Sequence, residues 1–313
     1  MEKLRLLSLF SGIGAFEEAL KNINIDYELV NYCEIVPYIS ESYSLIHKVN
    51  KKSNLVDITK VNEKELKDFD LMTYGFPCQD ISALGDRKGL FDENGNLTRS
   101  GLFFEAIRIA KYKQPKYMIA ENVRALVSKP MKNEFEQMLK LLDYIGYNSY
   151  YKVLNSKDYG IPQSRNRIYI VSIRKDIDNK TFEFPDKQEL KLKASDLYDK
   201  NVSDEFYLEE KYYKYFNEFR LKKKYSSLNS DIFVCMTTKQ GQKANPQNFI
   251  KDEKGYRILT DSEMFAFQGF KKEYGKLLRD NGITTSQIGF MCGNSITVPV
   301  LEEVFKNLFK YDN

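Results

Sequence analysis

Residues 4–16 read LRLLSLFSGIGAF, and this stretch decides the fold. The apolar run at 4–10 is typical of a buried parallel strand, and the glycines that follow it predict a turn into a helix. Such a turn lets the backbone approach a ligand closely, with the start of the helix facing the ligand. Glu17 stands where the dinucleotide pattern G-x-G-x-x-G has its third glycine, which counts against NAD and FAD.

Acidic side chains follow the next two predicted strands. Glu34 comes after the apolar run at 27–33, and Asp57 lies in a predicted short strand at 55–58. Glu34 is placed to accept the two hydroxyls of a ribose, and Asp57 to accept the amino group of adenine. The alternative is a tight turn with two solvent-facing carboxylates. Because three consecutive strand ends agree, we expect a nucleoside cofactor, and S-adenosylmethionine is the common one on such a sheet besides NAD and FAD.

Strands and helices alternate through the first half of the chain. Apolar runs predict further strands at 69–74, 116–120, 149–154 and 168–173, and helical spacing predicts helices at 35–46, 101–112 and 133–145. This alternation predicts an α/β fold of Rossmann-like type, a mostly parallel sheet with helices on both faces.

The pattern changes near residue 175. From there to about 256 the chain is charged, aromatic and irregular, and regular patterning returns at 259–270 and in a closing helix at 297–311. We therefore expect one domain formed by 1–175 and 287–313. A smaller irregular domain with its hinge is expected at 176–286.

Composition limits the ligands and the cellular environment that we expect for the protein. The 313 residues carry a net charge of +4, which does not identify nucleic acid by itself. The four cysteines form no CxxC pair and His47 is the single histidine, so we expect no metal site and a reducing cytoplasm. No run of eighteen apolar residues and no leader peptide is evident, so no membrane association is expected.

Cys78 lies in GFPCQD at 75–80, directly after a predicted strand. A Pro-Cys turn at a strand end holds a thiol at the sheet edge. The following stretch at 80–96 contains glycines together with Ser82, Arg87 and Lys88, which predicts a lid that closes on a phosphodiester. Cys33, Cys235 and Cys292 are interpreted as small buried hydrophobic residues.

A carboxylate and two arginines follow other predicted strands. Glu121 comes after the strand at 116–120, and Arg165 and Arg167 precede the strand at 168–173. At i and i+2 of an extended chain the two arginines point to one face. One would hold Glu121 while the other stiffens the fold, and for Arg167 a structural ion pair is the favoured interpretation.

In order and spacing, these motifs resemble the DNA cytosine-5 methyltransferases. The resemblance rests on FSGIGAF at 10–16, GFPCQDIS at 75–82, TRSGLFFE at 98–105, ENV at 121–123, QSRNR at 163–167, RILTDSEMFAFQGF at 257–270 and GNSITVPV at 293–300. It covers nearly the whole chain except about 175–256, where that family has its variable target-recognition region. Phe290-Met291-Cys292 departs from the usual approach to the GNS motif.

The resemblance implies a role for each matched position. Cys78 would be the nucleophile, Glu121 would protonate or hydrogen-bond ring nitrogen 3 of cytosine, and Arg165 would hold the carbonyl oxygen of the flipped base. The S-adenosylmethionine pocket would be lined by Phe10, Ser11, Gly12, Gly14, Glu34, Ile35, Asp57, Ile58, Pro77, Leu102, Asn294 and Ile296. DNA would be contacted by Gln79, Ser82, Arg87, Lys88, Arg167, Thr237 and Thr238.

The expected activity is methyl transfer to carbon 5 of a flipped-out cytosine in a short, specific duplex sequence. The resemblance implies a bacterial or phage enzyme of a restriction-modification system or an orphan methylase. It would be a monomer, and any cognate restriction endonuclease would act separately. Three alternatives remain: a tRNA-modifying cytosine methyltransferase of the same family, a catalytically idle DNA-binding regulator and, more distantly, a Rossmann oxidoreductase.

Overall fold

The computed structural model describes residues 3–77, 99–215, 227–244 and 246–310. Its main feature is a six-stranded sheet with the spatial order β2-β1-β3-β4-β7-β5. The strands of the first half of the chain are β1 Leu4–Leu9, β2 Tyr27–Cys33, β3 Leu71–Tyr74, β4 Tyr117–Val123, β5 Tyr147–Asn155, β6 Gln163–Ser164 and β7 Asn166–Arg174.

The sheet is mostly parallel, as predicted. β1 runs parallel to β2 and β3, and β3 runs parallel to β4. β7 is the exception, because it is antiparallel to both β4 and β5. Only the ten residues 156–165 join β5 to β7, without a crossover helix, and such a short connection permits only antiparallel pairing.

Helices cover both faces of this sheet. They are α1 Ala15–Asn22, α2 Pro37–His47, α3 Phe103–Lys113, α4 Lys132–Tyr144, α6 Asp261–Ala266, α7 Glu273–Asp280, α8 Thr285–Asn294 and α9 Val298–Lys310, whereas Tyr213 of the short α5 Tyr213–Tyr215 packs with a separate apolar cluster that includes Phe249 and Tyr256. Along β1, Leu6 packs with α1 and α9, whereas Leu7 and Leu9 pack with α3 and α4 on the opposite face. This alternation is the two-residue period of a strand buried on both sides.

The described residues between 175 and 258 form short, less regular elements. They are β8 Ser227–Leu228, β9 Phe233–Val234, β10 Asn248–Asp252 and β11 Gly255–Ile258. β8, β10 and β11 make a small sheet over its own apolar cluster, to which Phe206, Phe249 and Ile258 belong. β9 pairs with β6, and Phe233 and Met236 pack into the main core, so the region is held directly against the large sheet.

One predicted strand is wrong. Residues 55–58 form no strand: Asn54 makes only an isolated bridge to Tyr32, and Val56 has a positive φ of 64° that interrupts an extended chain. Asp57 instead begins a turn of 3₁₀ helix at Ile58–Lys60 by accepting a hydrogen bond from Thr59 N. A short carboxylate that caps the next turn competes with strand formation.

In the part of the chain that the structure describes, no helix is both long and apolar enough to span a membrane. Within those same residues, no group of three or more histidine, cysteine and acidic side chains is placed to hold a metal ion.

Candidate active site

The carboxyl ends of β1, β3 and β4 meet at one edge of the sheet, and the antiparallel β7 begins there. A Cβ built on Gly75, just after β3, would lie 3.9 Å from Glu121 Oε2 and 3.8 Å from Ile296 Cδ1. The edge thus brings together residues that are far apart in sequence. Open α/β sheets bind their ligands at this edge.

The turn after β1 is anchored to the end of β2. Phe10, Gly12 and Gly14 have positive φ values of 52°, 55° and 77°. The Ser11 hydroxyl donates to Ser8 O at 2.9 Å and accepts from Cys33 N at 3.2 Å. A left-handed backbone of this kind favours glycine.

Glu34 lies beside this turn. Its carboxylate accepts hydrogen bonds from Gly12 N at 3.1 Å and Val36 N at 2.8 Å. Burial raises the pKa of Glu34, and these amide hydrogen bonds act in the opposite direction. The Asn54 side chain holds the Glu34 backbone on both sides, accepting from its N at 3.0 Å and donating to its O at 2.9 Å. Sequence reasoning missed Asn54, since no local pattern signals its contact.

The remaining residues expected to line a cofactor pocket differ in exposure. Asp57 accepts from Thr59 Oγ1 at 2.7 Å, and these hydrogen bonds lower the pKa of Asp57. Ile35 is 62% exposed directly after Glu34, which is unusual for an isoleucine and leaves an apolar surface at the end of β2. Ile58 and Ile296 are buried, Pro77 and Leu102 are half-buried, and Asn294 is exposed.

Glu121 lies within β4 rather than after it, opposite Tyr169 of β7. The side chain is only 8% exposed, and Oε1 lies 3.1 Å from Arg167 Nε. Burial raises the pKa of Glu121, while the positive charges of Arg167 and Arg165 act against that rise. The ion pair predicted for Arg167 is confirmed. Next to it, Asn122 Nδ2 donates to Phe76 O at 3.1 Å and so holds the segment that leads to Cys78.

The buried guanidinium of Arg165 has another environment. Nη1 donates to Met236 O at 2.9 Å, and Nη2 donates to Gly293 O at 2.9 Å and Ser295 O at 2.5 Å. Both Nη groups thus donate to backbone oxygens, whereas Nε has no hydrogen-bond partner among the described residues. Arg165 therefore ties the GNS motif and the 234–238 segment to the sheet, and its expected contact with a base carbonyl stays a prediction.

Cys235 contacts both arginines. Its Sγ lies 3.3 Å from Arg165 Nη1 and 3.7 Å from Arg167 Nη2. Cys33 and Cys292 are buried, as predicted, but Cys235 is half-buried in a cationic environment. The interpretation of Cys235 as an inert hydrophobic residue was therefore wrong. The contact depends on the pairing of β6 with β9, which the sequence does not signal.

Several expected site residues lie outside the described residues: Cys78, Gln79, Ser82, Arg87 and Lys88. Thr237 and Thr238 are half-buried beside the GNS turn, since a Cβ on Gly293 would overlap their backbone. The described part of the site thus comprises the glycine turn with Glu34, the Glu121–Arg167 pair, and the segment at 234–238.

Comparison with known proteins identifies this arrangement. The family profile described as C-5 cytosine-specific DNA methylase matches residues 4–310. A type II methyltransferase of Lactococcus lactis subsp. cremoris is 33% identical over 98% of this chain and 99% of its own length. An orphan methyltransferase of Spiroplasma monobiae is also 33% identical, over 98% of this chain and 97% of its own length.

A methyltransferase structure from Entamoeba histolytica superposes with a TM-score of 0.83 at 18% identity, covering 100% of both chains, which supports the fold. The chain belongs to the C-5 cytosine-specific DNA methylases, enzymes that transfer a methyl group from S-adenosylmethionine to DNA.

Proposed function

We propose that this enzyme methylates carbon 5 of a cytosine that is flipped out of a short, specific duplex DNA sequence, with Cys78 as the attacking nucleophile. The observation that carries the proposal is the position of the buried Glu121–Arg167 pair. A Cβ built on Gly75, three residues before Cys78, would lie 3.9 Å from Glu121 Oε2. A carboxyl group whose pKa is raised by burial is suited to donate a proton or hydrogen bond to a ring nitrogen.

The residues at the β1 and β2 ends fit S-adenosylmethionine. The turn at 10–14 has a left-handed backbone at three positions, and Glu34 is fixed by two amides with its carboxylate at the turn. We assign ribose binding to Glu34, adenine contact to the exposed Ile35 and to Asp57 and Ile58, and the remaining lining to Phe10, Ser11, Pro77, Leu102, Asn294 and Ile296. Bound there, S-adenosylmethionine supplies an electrophilic methyl group.

The protein's own part of the chemistry begins with Cys78. Carbon 5 of cytosine is a weak nucleophile. Addition of the Cys78 thiolate to carbon 6 makes an enamine and moves electron density to carbon 5, while Glu121 donates a proton or hydrogen bond to ring nitrogen 3. After carbon 5 is methylated, water accepts its proton, the Cys78–carbon 6 bond breaks with the thiolate as leaving group, and Glu121 takes back any proton on ring nitrogen 3, which restores the aromatic ring. The thiolate is the reactive form of cysteine.

Arg167 orients Glu121, and its position beside that carboxyl assigns it, rather than Arg165, to the base carbonyl. Arg165 is a positioning residue, because its guanidinium holds the backbone of Met236, Gly293 and Ser295. This division reverses the roles expected from the sequence.

Duplex DNA is the proposed partner, since the reaction needs the cytosine taken out of the base stack. We assign sequence reading to the domain at 176–286, with Thr237 and Thr238 nearest the site, and phosphate contacts to Gln79, Ser82, Arg87 and Lys88. The relatives include both a type II and an orphan methyltransferase. We therefore propose a restriction-modification or orphan methylase that acts as a monomer in the cytoplasm, with any cognate endonuclease acting separately.

The test is covalent trapping. Duplex DNA with 5-fluorocytosine at the target cytosines should form a denaturant-stable adduct with the parent protein, because fluorine blocks the final elimination. Cys78→Ala should form no adduct and transfer no labelled methyl group, while still binding S-adenosylmethionine in calorimetry. Cys292→Ala removes another buried thiol of the chain and should form the adduct as the parent does.

Turnover by Cys78→Ala near the parent rate would contradict the nucleophile assignment. A parallel reaction with tRNA separates substrate classes: labelling of tRNA and not of duplex DNA would place this enzyme among the RNA methyltransferases.

A further inference from the structure

Four ionisable side chains form a continuous line at the sheet edge. Glu121 Oε1 lies 3.1 Å from Arg167 Nε, and Arg167 Nη2 lies 3.7 Å from Cys235 Sγ. The same sulfur lies 3.3 Å from Arg165 Nη1. The Cys235 thiol is therefore shared by the two arginines, one of which also holds the carboxyl group proposed to act on the base.

The backbone fixes this sulfur in place. Ser164 of β6 pairs with Val234 of β9, which places Cys235 beside Arg165. Met236 N donates to the buried Gln163 side chain at 2.8 Å, and Met236 O accepts from Arg165. Residues on both sides of Cys235 are thus bound to the catalytic sheet, so its contact with the arginines does not depend on a mobile side chain.

The Cys235 thiol is the second acidic group of this line. Arg165 is 2% exposed and Glu121 is 8% exposed, so both lie largely outside solvent screening. The proposed chemistry uses Glu121 in its protonated form, and that form leaves two adjacent guanidinium groups without the carboxylate charge. Backbone oxygens already accept hydrogen bonds from Arg165, and a thiolate at Cys235 adds an opposite charge within reach of both guanidinium groups.

We propose that Cys235 is ionised and acts as the second counter-ion of the Arg165–Arg167 pair, and that it thereby leaves Glu121 free to carry its proton during the reaction. This inference rests on the proposed function. It makes Cys235 a positioning residue, which acts on the base only through Arg167 and Glu121.

The electrostatics of the neighbours support this assignment. Burial raises the pKa of the Cys235 thiol, but the charges of Arg165 and Arg167 outweigh it, and the net pKa lies below the ordinary value. Within the described residues, the charged and titratable groups that act on Glu121 are Arg167, Arg165 and Tyr169. Burial raises the pKa of Tyr169, so its hydroxyl stays neutral and supplies no negative charge.

The proposal predicts the direction in which the pKa of Glu121 changes when the thiolate is removed. A thiolate beside Arg167 offsets part of the attraction that the arginines exert on the Glu121 carboxylate, which keeps the pKa of Glu121 higher. Removing the thiolate should lower that pKa. Because the rate depends on protonated Glu121, the limb of the pH profile that falls with rising pH should then move to lower pH.

Cys235→Ser and Cys235→Asp test the proposal together. Serine keeps the size but cannot ionise, whereas aspartate supplies a permanent negative charge. In single-turnover methylation of duplex DNA, Cys235→Ser should move the falling limb to lower pH by roughly one unit, and Cys235→Asp should leave that limb near its parent position. Cys292→Ala, which removes a buried thiol that contacts neither arginine, should leave the profile unchanged.

A second measurement follows the thiolate without relying on activity. The ultraviolet thiolate absorbance of the parent minus that of Cys235→Ser should titrate below the pKa of about 8.5 of a free cysteine. If Cys235→Ser does not fold, the pH dependence of Cys235 alkylation in the parent, read by peptide mass spectrometry, replaces this difference.

The outcomes separate the two proposals. A parent that forms no methylated cytosine overturns the proposed function, whereas the thiolate titration still tests the ionisation of Cys235. A parent that is active while Cys235→Ser keeps the parent's pH limbs, at whatever rate, overturns the counter-ion role and leaves the proposed function standing. A pKa of the Cys235 thiol at or above that of a free cysteine also overturns the counter-ion role.

Discussion

Burial and charge act in opposite directions on the Glu121 side chain. Removal from water raises its pKa, and the two arginines at the start of β7 limit that rise. The strand pairing sets this balance, because Arg167 lies opposite Val123 and thus diagonally across from Glu121. A carboxyl group in this position can be protonated when the base binds and ionised when the product leaves.

Glu121→Gln should lower the rate of methyl transfer by about 10²-fold or more, since an amide can hydrogen-bond to the ring nitrogen but cannot give up a proton. Cofactor affinity should be unchanged. The falling limb of the parent's pH profile should vanish in the variant, because the raised pKa of Glu121 makes the protonated form active below that pKa and lost above it. Single-turnover assays across pH measure both effects.

Glu136→Gln is the matched control for this substitution. Glu136 is an exposed residue of α4, and its ion pair with Lys132 lies at the surface. The Glu136→Gln variant should methylate DNA at the parent rate at every pH. A Glu121→Gln variant that retained both the parent rate and the parent's pH limb would remove Glu121 from the reaction.

At the scale of elements, the turn between β1 and α1 depends on the last residue of α2. His47 Nε2 donates to Ile13 O at 2.9 Å, and Nδ1 accepts from Lys21 Nζ at 2.9 Å. Burial lowers the pKa of His47 to about 3, so the ring is neutral and keeps this hydrogen-bond pattern through the physiological range. The single histidine of the chain thus supports the proposed cofactor turn from behind.

The fit between His47 and Gly14 predicts a coupled pair of substitutions. A Cβ on Gly14 would overlap His47 Nε2, and its φ of 77° adds a cost of about 1–2 kcal/mol for any L-residue. Gly14→Ala should therefore lose both stability and S-adenosylmethionine affinity. Adding His47→Ala should relieve the overlap but not the φ cost, which gives a coupling of about 1–3 kcal/mol in urea unfolding.

Gly282→Ala measures the free-energy cost of the left-handed backbone alone, without a steric overlap. Gly282 has a similar φ of 83°, and nothing lies within 4 Å of its added Cβ. The Gly282→Ala variant should lose about 1–2 kcal/mol of its free energy of unfolding, with no change in cofactor affinity. If Gly14→Ala and His47→Ala were additive, the ring would not be in contact with the turn.

The elements also show where sequence reasoning stops. Hydrophobic periodicity predicted the strands of the large sheet because each is an apolar run with few local competitors. It failed at 55–58, where the positive φ of Val56 and the cap made by Asp57 outweigh an apolar pattern. Of the site, it predicted Glu34 and Glu121 from their places at strand ends. The partners of Arg165, Cys235 and Asn54 depend on pairing between distant segments, which no local pattern encodes.

Across the whole molecule, the irregular region is attached to the catalytic edge at a few points. β9 pairs with β6, Arg165 holds Met236 O, and the Thr237 backbone packs against Gly293 of α8. These three attachments use backbone groups of the attached segment, and the Cys235 thiol adds a side-chain contact with Arg165 and Arg167. The small sheet of β8, β10 and β11 has its own apolar cluster beyond them.

This arrangement predicts that sequence preference can be transferred separately from chemistry. Residues 176–258 should be exchanged for the corresponding segment of the Lactococcus lactis relative, which aligns along 98% of this chain. The chimera should methylate that relative's target sequence, because Glu34, Glu121, Arg165 and Arg167 all remain in place. Bisulfite sequencing of DNA from cells that express the chimera measures the methylated site directly.

The chimera's failure modes are distinguishable. A chimera carrying Cys78→Ala should methylate nothing, which shows that any new signal comes from this chain's own nucleophile. If the unmodified chimera methylated the original sequence, recognition would reside in the parts it kept, 1–175 and 259–313, rather than in the exchanged segment. If it methylated neither sequence but still bound S-adenosylmethionine with parent affinity, the attachment at 234–238 would require matched side chains. Restoring Cys235 and Met236 in the donor segment should then recover activity at the new site, because the Cys235 thiol contacts both arginines and the Met236 side chain is buried in the main core.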